Sequence, residues 1–535
     1  HLRGQIRFQP GPAHDVVLRG VYGQRKGVGP SLVLIEPTDN RAGSPIIGGG
    51  GTVAAVQNSS RALINRYRLA LPNVSLTDPY QVRSNSPTSI DTKTYLANLE
   101  YTLDLGGVAV KVLGAYQDGD EFTEDDSDRT ELFIATRTID RRYTQKSLEL
   151  NVSSTGSGPF QWIVGAFYLD DSVDQFLVSA NNPSPTAITL IRDDTFEGKS
   201  YAAFGQGTLR VTDSLSLTAG ARYTRDEKSG DQFGRDFNGS TRTGSESGTW
   251  EEPTYRLGAE LQVIPDNLLF ASFSRGYKAG GFRFLPTVGA NDPDGTYEPE
   301  FVKAIEVGSK NQFADRRLTL NLAGFYYDYT DLQFLEIRDQ QQIVANIGAA
   351  TIWGAEIEFA YRTPIGIGID LSGGYLNAEI DEYIGPNPRF GAVNPANPDI
   401  NNPANINPGT GFPVNVAGNR LPQSPEWSAN VGVNYRWRFA DGTTITPQAR
   451  VSWQSETYFT PFNSDIERQG SFAKVNLSLS WLSANDALSG EIFVNNLTDK
   501  ATRNYVVNGS GTTGTLYQAN YAEPRTWGVR VGARF

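Results

Sequence analysis

Lys278, Phe282, Arg283 and Phe284, in FSRGYKAGGF (273–282) and the two residues after it, place two cations beside two aromatic rings. Such a group binds an anionic, aromatic ligand through charge and stacking. The same residues also suit local packing, and the stretch alone leaves both readings open. DGDEFTEDDSD (118–128) gathers seven carboxylates in eleven residues. Hard cations need clustered oxygens, but the spacing is not that of an EF-hand, and a solvated acidic loop is the simpler reading. IIGGGGTVAA (46–55) lacks the Lys-Ser/Thr that completes a phosphate-binding loop and reads as a flexible loop.

Other chemistries lack material. The 535 residues contain no Cys, which removes disulfides, thiolate metal sites and cysteine nucleophiles. The two His, His1 and His14, lie together at one end, too few for a histidine zinc site or a Ser-His-Asp triad. No nucleophile, base and orienting group assemble, so an enzyme is not expected, and no cofactor or metal is implied. A net charge of -12 without a basic run argues against nucleic acid as a partner. No apolar run reaches the 18 residues of a membrane helix.

The elements that must position these residues are strands. LSLTAGARYT (215–224), ANVGVNYRW (429–437) and VNLSLSW (475–481) alternate apolar and polar residues, and less regular stretches of the same kind bring the count to about nineteen. Nine tight connections, such as QPGPAHD (9–15), TPIG (363–366) and SANDA (483–487), alternate with nine long ones, which include 26–90, 118–140, 170–196, 225–250 and 380–418. Short turns at one end and long loops at the other are the rule for an outer-membrane β-barrel, with the short turns periplasmic. The fold expected is all-β, a transmembrane antiparallel barrel. Its last strand, RTWGVRVGARF, puts Trp527, Val529, Val531, Ala533 and Phe535 on one face. Eight steps separate Trp527 from Phe535, about 26 Å along the strand and about 20 Å in height, which sets the two rings in opposite membrane girdles. Phe535 would then end on the periplasmic side.

NLLFASFSRGYKAGGF (267–282), YEPEFVKAIEVGSKNQFADRRLTLNLAGFYYDYTDLQ (297–333), NIGAATIWGAEIEF (346–359), RLPQSPEW (420–427), FVNNLTDKATRNY (493–505) and the terminal strand together resemble the TonB-dependent receptors of Gram-negative outer membranes. The resemblance spans nearly the whole chain. It implies a 22-stranded barrel of which residues 1–535 hold about nineteen strands, with the N-terminal plug, the TonB-binding box and about three strands outside this chain. It implies energised uptake of a scarce ligand, with a ferric siderophore as the default and cobalamin, haem or an oligosaccharide as alternatives. Partners follow: the TonB-ExbB-ExbD complex acting through the absent N-terminal region, the small-molecule ligand, outer-membrane lipid and lipopolysaccharide, and the barrel-assembly machinery, which reads the terminal aromatic strand. A passive porin is the rival transport reading. A motif shared across a family does not encode the specificity of one member, so FSRGYKAGGF also stands as common packing.

Overall fold

The computed structural model describes residues 1–29, 33–37, 78–82, 84–127, 129, 135–181, 188–235, 240–282, 296–338, 341–346, 348–387, 392–393, 406–407, 412–509 and 516–534. A sheet of 20 strands runs as an antiparallel meander from Leu2 to Ala533, each strand laddered to the next. Two of the 20, Trp427–Tyr435 and Trp437–Arg438, are halves of one strand broken at Arg436. Among the described residues the chain therefore crosses 19 times, in line with the roughly nineteen strands read from the sequence. The expected tight turns join strands along one rim. At one of them Gly366 has φ +94, and a Cβ there would lie 2.7 Å from the Arg436 carbonyl oxygen, which restricts the position to glycine. The wall is not closed. Among the described residues, Leu2–Gly11 ladders only with His14–Gly27, and Thr526–Ala533 only with Leu488–Asn495.

Alternation gives the wall two faces. Trp527, Val529 and Val531 are 80%, 65% and 86% exposed. On the same outward face, aromatic residues form two belts. Tyr201, Tyr223, Trp353, Trp427 and Trp453 mark the rim of long connections, and Phe160, Trp437 and Trp481 the rim of short turns. Trp353, Tyr375 and Trp427 link through ring centroids 5.3 and 4.6 Å apart. The opposite face is polar: Glu100 bridges Arg19 at 3.1 Å and Lys111 at 2.6 Å, and Arg530 pairs with Glu491 at 2.7 Å. This is the division of an apolar belt outside and a wet interior. Phe535 lies outside the described residues.

Three of the expected long loops are corrected. Val108–Asp126 and Ala135–Ser154, Phe160–Asn181 and Ile188–Arg210, and Leu215–Arg235 and Thr241–Ile264 are hairpins whose strands continue through most of 118–140, 170–196 and 225–250. The last four of these strands have 22, 23, 21 and 24 residues. From Asn267 onwards the crossings have only 8 to 16. A strand of 22 residues is about 73 Å long and about 55 Å tall once tilted, against an apolar band of about 25 Å. One side of the wall therefore stands about 30 Å above the belt. The Gly run 46–55 falls outside the described residues.

A second, smaller sheet lies on the long-connection rim. Val33–Pro37, which follows the second crossing, pairs with Leu516–Tyr521, and Leu516–Tyr521 pairs with Arg503–Gly509 just before the last crossing. Val506 and Ala519 are fully buried there against Phe459. The patch thus straps the two unpaired edges of the wall together at that rim.

Candidate functional site

The tall hairpin Leu215–Arg235 with Thr241–Ile264, and the strand beside it, Asn267–Lys278, meet at the mouth on the long-connection rim. Beyond the tyrosine belt, Leu215–Arg235 turns Thr224, Asp226 and Lys228 to the inner face, and the register sets Trp250 opposite Asp226. The half-buried Lys228 ammonium donates to the Gly280 carbonyl oxygen at 2.7 Å and lies 5.6 Å from the Trp250 ring centroid. Trp250 in turn packs on Phe282, centroids 5.9 Å apart. Burial pushes the lysine below its usual range, against the pull of Asp226 and Asp171. Burial likewise raises the Asp171 carboxyl above its usual range, while Lys228 holds it down. The Tyr277 hydroxyl donates to the Asp226 carboxylate. The result is a cation set on an aromatic surface, which can hold a ring-bearing anion by charge and stacking.

The glycines of KAGGF serve close approach. A Cβ on Gly280 would lie 2.4 Å from the Tyr297 carbonyl oxygen and 2.6 Å from the Trp250 ring; one on Gly281 would lie 2.3 Å from the Tyr297 hydroxyl. Gly281 and Phe282 ladder with Tyr297 and Thr296. The Gln333 side-chain amide donates to the carbonyls of Ala279 at 3.0 Å and Glu298 at 3.1 Å. Asn346 donates to Glu298 O at 2.9 Å and Asp331 O at 2.8 Å, and accepts from Glu298 N at 2.7 Å. KAGGF, YEPE and the Asn of NIG are thus one hydrogen-bonded knot. Gly280→Val is expected to overpack it by about 1–3 kcal/mol. Protease added to intact cells should then cut between residues 278 and 298 faster than in the parent, with the heat-modifiable mobility of the barrel retained.

Of the residues chosen from sequence, the structure brings Lys278 and Phe282 to this mouth. Lys278 is exposed at the strand end, and Phe282 packs on Trp250. Arg283 and Phe284 lie outside the described residues. Lys228 and Trp250 were missed, because they fall in the stretch read as a loop. Among the described residues of the acidic run, no group of carboxylates is gathered to hold a cation. Asp118 meets Arg142 at 3.8 Å, Glu121 meets Arg141 at 3.4 Å, and Asp125 meets Arg129 at 2.6 Å and Arg137 at 3.4 Å. Asp126 accepts from Ser84 Oγ at 2.9 Å and Asn85 N at 3.0 Å. Asp118, Glu121, Asp125 and Asp126 are thus answered by the neighbouring strand and connection.

A family model described as TonB dependent receptor-like, beta-barrel, matches residues 38–497. The pesticin receptors of Yersinia pestis and Yersinia enterocolitica are each 24% identical over 400 residues, 74% of this chain and 52% of theirs. The chain spans about half the length of these curated relatives. The solved ferric yersiniabactin uptake receptor of Yersinia pestis superposes with a TM-score of 0.75 at 18% identity, covering all of this chain and 70% of that one. The siderophore receptor PiuA of Acinetobacter baumannii gives 0.69 at 14%, covering 99% and 73%. The ferric citrate transporter FecA gives 0.66 at 16%, covering 99% and 69%. At these identities the likeness to the solved structures is one of fold.

Proposed function

Since the chain belongs to the TonB dependent receptor-like β-barrel family, we propose that it forms the outer-membrane wall of an energised importer whose cargo is a ferric siderophore. The long-connection rim faces the exterior and collects the ligand. The short turns and Phe535 face the periplasm, and the barrel-assembly machinery reads the terminal strand. A plug outside this chain blocks the interior until the TonB-ExbB-ExbD complex pulls on it. The observation that carries the cargo class is the Lys228–Trp250–Phe282 group. Many ferric siderophore complexes are anionic and ring-bearing, and this surface offers a cation and stacked rings at the entrance. The solved relatives named for ferric yersiniabactin and ferric citrate support the same class.

The test uses the full-length receptor in a strain stripped of its own siderophore receptors. Radiolabelled iron is supplied as catecholate, phenolate, hydroxamate or citrate complexes, with cobalamin, haemin and maltooligosaccharides as further arms. Accumulation of one ferric complex is expected, lost when TonB is deleted. Equal uptake without TonB would leave a passive porin, and uptake of only a non-iron arm would replace the cargo. Lys228→Gln is expected to weaken binding of the transported complex about tenfold, the loss of about 1.4 kcal/mol of charge and cation–π attraction. It should leave the amount of folded barrel unchanged.

A further inference from the structure

The tall side of the wall carries an ordered row that uptake does not use. The ladders place Phe122 opposite Asp140, Asp140 opposite Phe176, Phe176 opposite Asp193, and Asp193 opposite Phe233. Five neighbouring strands thus hold Phe-Asp-Phe-Asp-Phe in one row, which climbs by about 10 Å from Phe122 to Phe233 because the strands tilt. Directly paired residues share a face, and counting by twos from Tyr116, Tyr168 and Tyr223 makes that face the outward one. The rings are 38%, 46% and 38% exposed. Asp140 and Asp193 are exposed as well, and neither forms a hydrogen bond or ion pair with a described residue. With strands about 4.8 Å apart, the rings recur about every 10 Å.

We propose that this strip docks the core oligosaccharide of neighbouring lipopolysaccharide. Phe176 stands eight residues beyond Tyr168 of the belt, about 26 Å along the strand and about 20 Å above the apolar band. At that height, and facing sideways along the membrane, the strip meets the sugars above the outer leaflet; it does not face ligand entering the mouth. Its chemistry suits them. A phenyl face stacks on the C–H face of a pyranose, and an unpaired carboxylate accepts hydrogen bonds from ring hydroxyls. The carboxylates disfavour the phosphate-bearing part of the molecule, which leaves the sugars as ligand. A protein partner fits less well, since charges alternating with every ring are what the centre of a protein interface lacks.

The inference rests on the outer-membrane placement, which heat-modifiable mobility of the full-length receptor in isolated outer membranes tests separately. The receptor, purified in mild detergent, is titrated with lipopolysaccharide bearing a complete core and with the deep-rough form that lacks it. Complete-core lipopolysaccharide is expected to bind about tenfold more tightly. The triple variant Phe122→Ser, Phe176→Ser, Phe233→Ser should erase the difference. Asp140→Asn with Asp193→Asn, which keeps shape and folding, should reduce it about threefold. Equal affinity of the parent for both forms would overturn the proposal, as would full discrimination by both variants. In intact cells, a photo-crosslinking residue at position 176 should yield an adduct recognised by antibody to the core; an adduct only to protein would overturn it.

Discussion

Val531→Arg should strip the barrel from the outer membrane, while Arg530→Gln, one residue away, should leave it in place. Val531 lies four residues below Trp527 and is almost wholly exposed on the outward face, opposite Gly490 of the neighbouring strand. That sets it near the middle of the apolar band, where an arginine costs about 2–4 kcal/mol. Arg530 points the other way, pairing with Glu491 at 2.7 Å and lying 4.5 Å from the Phe493 ring centroid. Its replacement removes an exposed ion pair worth about 0–1 kcal/mol. Unheated gel mobility of outer-membrane fractions reads both variants. Equal loss, or equal tolerance, would reverse or erase the assignment of the two faces.

Asp125→Ala should loosen the outer end of the hairpin Val108–Asp126 with Ala135–Ser154 more than any surface change nearby. Arg129 and Asp125 are only 4% and 7% exposed in their side chains and meet at 2.6 Å. Removing the carboxylate leaves a guanidinium buried without its counter-charge, a loss of about 3–5 kcal/mol. The same segment is tied by Asp126 to Ser84 and Asn85, and by Gln518 to the Ser127 carbonyl at 2.8 Å. Amide exchange at residues 124–127 should therefore quicken by about two to three orders of magnitude, with the 160–181 strand unaffected. The double replacement Asp125→Leu with Arg129→Met should restore most of the protection, because it removes both charges together. If the single variant exchanged like the parent, the pair would not be what holds this end.

The contrast between the two faces explains what could be read from the sequence. Within the belt the faces meet different solvents, so LSLTAGARYT and the terminal strand alternate visibly and the 19 crossings could be counted. Above it both faces are wet. Arg225 and Glu227 on one face and Asp226 and Lys228 on the other are all polar, and the pattern fades although the strand continues to Arg235. That is why the tall hairpins looked like loops. Lys278 and Phe282 could be picked because they sit together in a short motif. Lys228 and Gly280 are 52 residues apart, and only the register of the strands between them brings them into contact. The same holds for the phenylalanine and aspartate row, which no single stretch of sequence contains.

The strap across the long-connection rim bears on how the molecule comes together. Every ladder of the meander joins consecutive crossings, and most close through a short turn, so they have low contact order and can zip up one after another. The pairing of Val33 with Ala519 is different, since it encloses nearly the entire chain. Closing so large a loop in an unstructured chain would cost about 5 kcal/mol in entropy. The cost falls once the intervening crossings have formed, which places the strap late on the folding route. Contacts made after the transition state influence escape from the folded state more than entry into it. Val506 and Ala519 therefore act as a latch on the rate of unfolding, and the persistence of the assembled wall depends on residues that contribute little to how fast it forms.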